Sequence, residues 1–151
     1  MTSIQIIVGS MLGGTEYISE ACQETLNSLN YSTELHFQPQ FSQIPHKNAI
    51  WLICTSTHGA GDYPDNIQAF VKELENCKED LSTLKYWVIG TGDTSYDTYC
   101  YAAKNIAKIL KSKGCNEIIE LKTLNILDDD DPEEAAQEWI TKNKDLLIQS
   151  C

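Results

Sequence analysis

Three short stretches concentrate the residues that could hold a ligand. They are "GSMLGGTE" at 9–16, "THGAGDYPDN" at 57–66 and "GTGDTSYDTYC" at 90–100. Each is rich in glycine, hydroxyl or aromatic residues, and none contains lysine or arginine. Glycine lets a backbone turn tightly and bring its N–H groups against a ligand. In the first stretch a helix begins near Thr15. Its free N–H groups and positive dipole end make an anion site, with Ser10 and Thr15 as added hydroxyl donors. A phosphate fits there without any cation. In the third stretch Tyr96, at the loop tip, offers a flat face on which a planar ring can stack. The same residues have plainer uses. The first stretch also reads as a strand-to-helix turn with a hydroxyl cap. Tyr99, followed directly by a helix, reads as cover for a sheet edge, and His58 as a loop histidine bonded to backbone.

Several chemistries are excluded. There is no G-K-[ST], and "GSMLGG" is not G-x-G-x-x-G, so the usual nucleotide fingerprints fail. No nucleophile–base pair stands out, so no substrate chemistry of the chain's own is expected. The six cysteines form no C-x-x-C pair and no two histidines lie at ligand spacing, so no metal site is expected. "MTSIQIIVGS" has no basic region and reads as a first strand, which implies a cytoplasmic location and reduced thiols.

The elements that position these loops alternate. "IQIIVGS", "STELHF", "AIWLICTS", "KYWVIGTG" and "EIIELKTL" read as strands. "TEYISEACQETLNSLN", "DNIQAFVKELENC", "YAAKNIAKILKSKG" and "DPEEAAQEWITKNKDLLI" carry apolar residues at helical spacing. Five strands alternating with helices specify an α/β fold with a parallel sheet covered on both faces. Residues 38–47, with Pro39 and Pro45, replace a regular helix between strands two and three. Asp65 and Asp97 are candidate caps for the helices that follow them, and Asp131, Pro132 and Glu134 form a helix start. Gly114 ends the third helix. The three ligand-type loops follow strands one, three and four, where an open parallel sheet collects its ligands.

A chain of 151 residues with 42% apolar content fits a single domain over 1–151. No apolar run is long enough to cross a bilayer. Eleven basic residues, all lysine, face 22 acidic ones, a net charge of −11. Such a chain repels nucleic acid and anionic membranes, and a protein partner is expected to show it a basic face.

The loops are also specific as motifs. "SMLGGT" resembles the phosphate loop of flavodoxins, a hydroxyl-x-hydroxyl-Gly-x-Thr pattern. "TSTHGAGDYPDN" resembles the T-x-G-x-G-D-x-P-D-N loop of FMN domains in diflavin reductases. "GTGDTSYDTYC" is similar to the G-x-G-D-S-x-Y-x-x-F-C loop. The order and spacing match over the whole chain, most closely the short flavodoxins of the MioC type. The resemblance implies a flavodoxin-like three-layer sandwich, with a five-stranded sheet of order 2-1-3-4-5. A chain this short has no room for the insertion that splits the last strand in long-chain flavodoxins.

The cofactor implied is FMN. Its phosphate would sit on the N–H groups of Met11, Leu12, Gly13, Gly14 and Thr15, with the Ser10 and Thr15 hydroxyls. Leu12 stands where the family usually has a hydroxyl, which removes one donor, about 1 kcal/mol. The flavin ring would lie between the second and third loops, contributed by Thr57, His58, Gly59, Ala60, Gly61 and Tyr63, and by Thr91, Gly92, Asp93, Tyr96, Tyr99 and Cys100. Tyr96 matches the outer stacking tyrosine. His58 stands where the family usually places an inner aromatic, and Tyr63 is the alternative cover. Gly59 matches a glycine whose peptide turns toward the reduced ring and helps separate two one-electron steps. Asp62, Asp65, Asp93 and Asp97 near the ring would oppose a second negative charge on it. The function implied is a monomeric electron carrier between a basic NADPH-dependent flavin reductase and acceptor redox enzymes, docked through the acidic face. The alternatives are a regulatory or assembly module with weak or lost FMN, favoured by Leu12 and His58, and an FMN-dependent quinone reductase.

Overall fold

The computed structural model describes residues 3–10, 14–57, 61–92, 100–125 and 131–150. Strand β1 (Ser3–Gly9) leads to helix α1 (Gly14–Ser28), then β2 (Ser32–His36). The proline-bearing segment that follows holds one 3-10 turn, Phe41–Gln43. β3 (Ile50–Ser56), α2 (Asp65–Glu75), β4 (Lys85–Gly92) and α3 (Tyr101–Ser112) come next. The chain closes with β5 (Asn116–Glu117), β6 (Lys122–Asn125), α4 (Pro132–Lys142) and α5 (Lys144–Ser150). All pairings are parallel, and the order is β2-β1-β3-β4-β5, with β6 also on β4.

The continuous apolar strands follow from burial on both faces. On one face Ile7, Trp51, Ile53, Tyr86 and Val88 pack with Ile67, Phe70 and Leu74 of α2 and Ala103, Ile106 and Leu110 of α3. On the other, Ile4, Ile6, Val8, Leu52, Cys54, Trp87 and Ile89 pack with Ile18, Cys22 and Leu26 of α1, Ile140 of α4 and Leu147 of α5. This is the three-layer sandwich. Among the described residues Cys22, Cys54, Cys77, Cys100 and Cys115 are thiols outside any disulfide, and no helix is long and apolar enough to cross a membrane.

Two expected elements are corrected. The last strand is not continuous over 117–124. It is broken by a four-residue bend at 118–121, even without a long insertion. From Glu117 to Lys122 the chain takes five steps, while its partner β4 takes three, from Tyr86 to Ile89. Ile118 and Ile119 both join the α1/α4 layer, and Leu121 joins the α2/α3 layer. Consecutive residues of a strand point to opposite faces, so a straight strand cannot bury both isoleucines in one layer. The final helix is likewise two helices. Asn143 Nδ2 donates to the Trp139 carbonyl at 2.8 Å, competing with the helical ladder, and α5 begins one residue later.

The helix ends follow simple capping chemistry. The Glu134 N–H donates to Asp131 Oδ1 at 3.0 Å, with Pro132 at the first helical position. At Gly114, φ is +86°. The Gly114 N–H reaches the Lys111 carbonyl and the Cys115 N–H the Leu110 carbonyl, each at 3.1 Å, the paired bonds of a Schellman end.

Candidate functional site

β1, β3 and β4 end side by side. Gly9 is level with Thr55, and Ser56 with Thr91, so the first, second and third loops leave the sheet at one edge. Two glycines make this possible by close packing. A Cβ on Gly9 would meet Ile67 Cδ1 at 2.7 Å and Thr55 Cβ at 3.1 Å. One on Gly90 would meet Ala103 Cβ at 2.6 Å. The side-chain-free positions let α2 and α3 settle on the strand ends that carry the loops.

Hydrogen bonds then tie the loops together. Thr15 Oγ1, at the start of α1, lies 3.0 Å from Thr91 Oγ1, at the end of β4, and both residues are buried. The Ala102 N–H, in the first turn of α3, donates to Thr57 Oγ1 at 3.0 Å. Thr57 thus caps a helix 45 residues away, while its own O–H proton remains to be donated elsewhere. The Ser10 N–H donates to Asn66 Oδ1 at 3.0 Å. Asn66 Nδ2 donates to the carbonyls of Val8 at 2.6 Å and Phe37 at 3.0 Å.

Of the residues expected at the site, Ser10, Thr15, Thr57, Gly61, Thr91 and Gly92 border this sheet edge. Gly14 begins α1, and no described atom comes within 4 Å of where its Cβ would stand. Among the described residues nothing covers the helix start at this position. Gly61 has φ +106° and lies under the ring of Tyr101, whose Cδ2 would be 3.2 Å from a Cβ there. Tyr63 is half-buried against the α2/α3 core layer, and burial, with Glu75 nearby, pushes its phenol up so that it stays neutral. Cys100 sits in a left-handed conformation, φ +54°, ahead of α3, with its thiol buried over Gly90. Met11, Leu12, Gly13, His58, Gly59, Ala60, Asp93, Tyr96 and Tyr99 lie outside the described residues, as does Asp97.

Asp65 does not cap α2. Pro64, with ψ 147°, occupies the cap position, so Asp65 is already the first helical residue. Its charge still suits the positive end of the helix, and it borders the site together with the exposed Asp62. Two residues were missed as structural ties. Asn66 was visible as the polar residue ending "DYPDN", one position into an amphipathic helix, yet nothing in its spacing announces three long-range partners. Tyr101, 44% exposed with Lys104 Nζ 5.7 Å from its ring centre, lies on the rim through its contact with Gly61.

The arrangement can hold an anion without cations. By helix geometry the first N–H groups of α1 have no intrahelical partner. Such unpartnered N–H groups suit an anion, and the described loop ends carry no lysine. A family model for flavodoxin matches residues 6–139. Protein MioC of Escherichia coli K12 is 41% identical over 147 residues, covering 97% of this chain and 99% of that one. The sulfite reductase [NADPH] flavoprotein alpha-component of Aliivibrio fischeri is 32% identical over 139 residues, 90% of this chain but 22% of its own length. A cysteine-to-serine mutant of flavodoxin from Pseudomonas aeruginosa superposes with a TM-score of 0.88 at 24% identity, covering 97% of this chain and 99% of that one.

Proposed function

The chain belongs to the flavodoxin family, whose members carry electrons on FMN, and from that premise we propose that it shuttles them from a basic NADPH-linked reductase to acceptor enzymes. It is an electron carrier and converts no substrate of its own. FMN supplies the redox chemistry; the protein binds, orients and presents it.

The observation that carries the cofactor assignment is the start of α1, held by Thr15 against Thr91 at the same sheet end as the exits of β3 and β4. The phosphate would take the N–H groups of Met11, Leu12, Gly13, Gly14 and Thr15, with the hydroxyls of Ser10 and Thr15. The ring would lie toward the loops at 57–63 and 91–100, with His58 and Tyr96 as its flanking rings and Gly59 as the turning peptide. Thr57 fits a donor role, because its oxygen accepts from Ala102 and its proton is left to give.

The reductase is read from charge. A net −11, with Asp62 and Asp65 beside the site, favours a basic partner face and raises its rate of encounter. Likeness to one segment of a longer NADPH-dependent flavoprotein supports the same direction of electron flow.

The test is FMN titration of the FMN-free protein by fluorescence quenching, followed by anaerobic reduction with an NADPH-linked reductase. Micromolar or tighter binding with onward reduction of cytochrome is expected. Protein that stays colourless in excess FMN would favour the regulatory module instead. Quinone turnover with NADPH alone would favour the reductase alternative.

A further inference from the structure

We propose that Asn66 is a positioning residue for the phosphate loop, setting FMN affinity through the phosphate and not through the ring. The proposal rests on the FMN reading above. One side-chain amide here replaces a piece of β-ladder. The register of β1 with β2 ends at the pair Ile7–His36. Just beyond it, the Val8 and Phe37 carbonyls both accept from Asn66 Nδ2, at 2.6 and 3.0 Å. On its other side, Asn66 Oδ1 accepts the Ser10 N–H at 3.0 Å.

The orientation of the amide follows from its partners. Both N–H protons meet carbonyls and the oxygen meets an N–H. Turning the amide over would face oxygen to two oxygens and nitrogen to a donor, so only one placement satisfies all three. The post itself is rigid. Asn66 is the second residue of α2, followed by Ile67 and, in the same face, Phe70, both fully buried.

Two consequences concern the ligand. The Ser10 N–H is consumed by Asn66, so it is not among the amides offered to a phosphate. The point where the loop leaves β1 is also fixed before any ligand arrives, which removes part of the ordering cost of binding. Riboflavin has the ring without the phosphate, so it does not draw on this fixed exit. Asn66 therefore governs the preference for FMN over riboflavin.

The experiment compares Kd for FMN and riboflavin in wild type, Asn66→Ala and Asn66→Asp. Asn66→Ala is expected to weaken FMN at least tenfold and riboflavin less than threefold. Asn66→Asp keeps the volume and the acceptor for Ser10 but withdraws both donors and sets a carboxylate against two carbonyls. An equal or larger loss of FMN preference is expected there. An unchanged FMN-to-riboflavin ratio in both variants overturns the proposal, since a general structural post would weaken the two ligands alike. Amide exchange in the wild-type, FMN-free protein covers the case in which a variant does not fold. The Ser10 amide is expected to be protected at least a hundredfold, and rapid exchange overturns a preset exit. If wild type binds neither ligand, it is the FMN reading that fails. Protection of Ser10, and its loss in whichever variant folds, then decides the positioning role alone.

Discussion

The Thr15–Thr91 bond offers a sharp test of how the loops are held. Both hydroxyls are buried, at 5% and 4% residue exposure, and their oxygens are 3.0 Å apart. Thr91→Val replaces one hydroxyl with a methyl of similar size. Leaving the other hydroxyl buried without this partner costs about 1–3 kcal/mol. The new methyl returns about 0.8 kcal/mol of burial. The single variant should therefore lose up to about 2 kcal/mol, and Thr15→Val about the same. The double variant strands nothing. It gives up one net hydrogen bond, about 1 kcal/mol, and buries two methyls worth about 1.6 kcal/mol together, so it should lie within about 1 kcal/mol of wild type. The cycle then shows a coupling of at least about 1 kcal/mol, and about 3 kcal/mol at the middle of these ranges. Urea unfolding of FMN-free protein is the assay, because a phosphate would give Thr15 a second partner. Costs that simply add, to within about 0.5 kcal/mol, would refute the claim that these hydroxyls tie the two loops.

Three further outcomes follow from separate parts of the molecule. Gly114→Ala places a side chain at φ +86° in open space, so its cost is backbone strain alone, about 1 kcal/mol. That lowers Tm by about 2–4 °C for a chain of this size, and an unchanged melt would contradict the left-handed cap. His36 is held below its ordinary 6.5 mainly by burial, with Glu34 partly offsetting it. The unfolded chain then binds the proton first as pH falls, so stability is full above about 6.5 and declines as pH drops toward the lowered value. Between pH 7.5 and 5, wild type should lose more urea resistance than His36→Gln, and parallel losses would remove His36 as the cause. Raising salt from 50 to 500 mM should cut the rate of reduction by a basic reductase at least tenfold, while FMN affinity changes less than about threefold. Equal sensitivity of both would mean that charge, not amides, holds the cofactor.

The alternation of apolar strands and amphipathic helices made the layer order legible, because a strand buried on both faces must be apolar throughout. β4 was readable residue for residue, since lysine opens it and the glycine-rich loop closes it. β5 and β6 were not. "EIIELKTL" satisfies strand composition, and only the competition of two layers for Ile118, Ile119 and Leu121 bends it. Asn143 was hidden for a related reason, because its side chain ends α4 by a bond that composition cannot announce. Glycines and hydroxyls marked the three loops in the sequence, and their described ends gather at one end of the sheet, but their fastening was not legible. Thr57 reaches Ala102, Thr15 reaches Thr91, and Asn66 reaches Val8, Ser10 and Phe37. Each contact joins residues far apart in sequence, and no local periodicity encodes it.

An acidic chain that holds an anionic cofactor poses an electrostatic question that magnitudes settle. Two unit charges 10 Å apart in water interact by about 0.4 kcal/mol, and physiological salt, with a screening length of about 8 Å, reduces this further. A hydrogen bond to a charged group contributes about 1.5–3 kcal/mol. Three or four amides at contact distance, as proposed, would therefore outweigh the dispersed carboxylates of a net −11 surface. In the proposed site the two tasks would act on different length scales: main-chain dipoles at about 3 Å on the phosphate, and side-chain charge across solvent on a partner. A lysine in the phosphate loop would strengthen the first task but would place a positive charge on the rim that must repel a basic reductase. A cradle built from backbone would leave the rim acidic, and that is the physical reason a site for a phosphate can be free of cations.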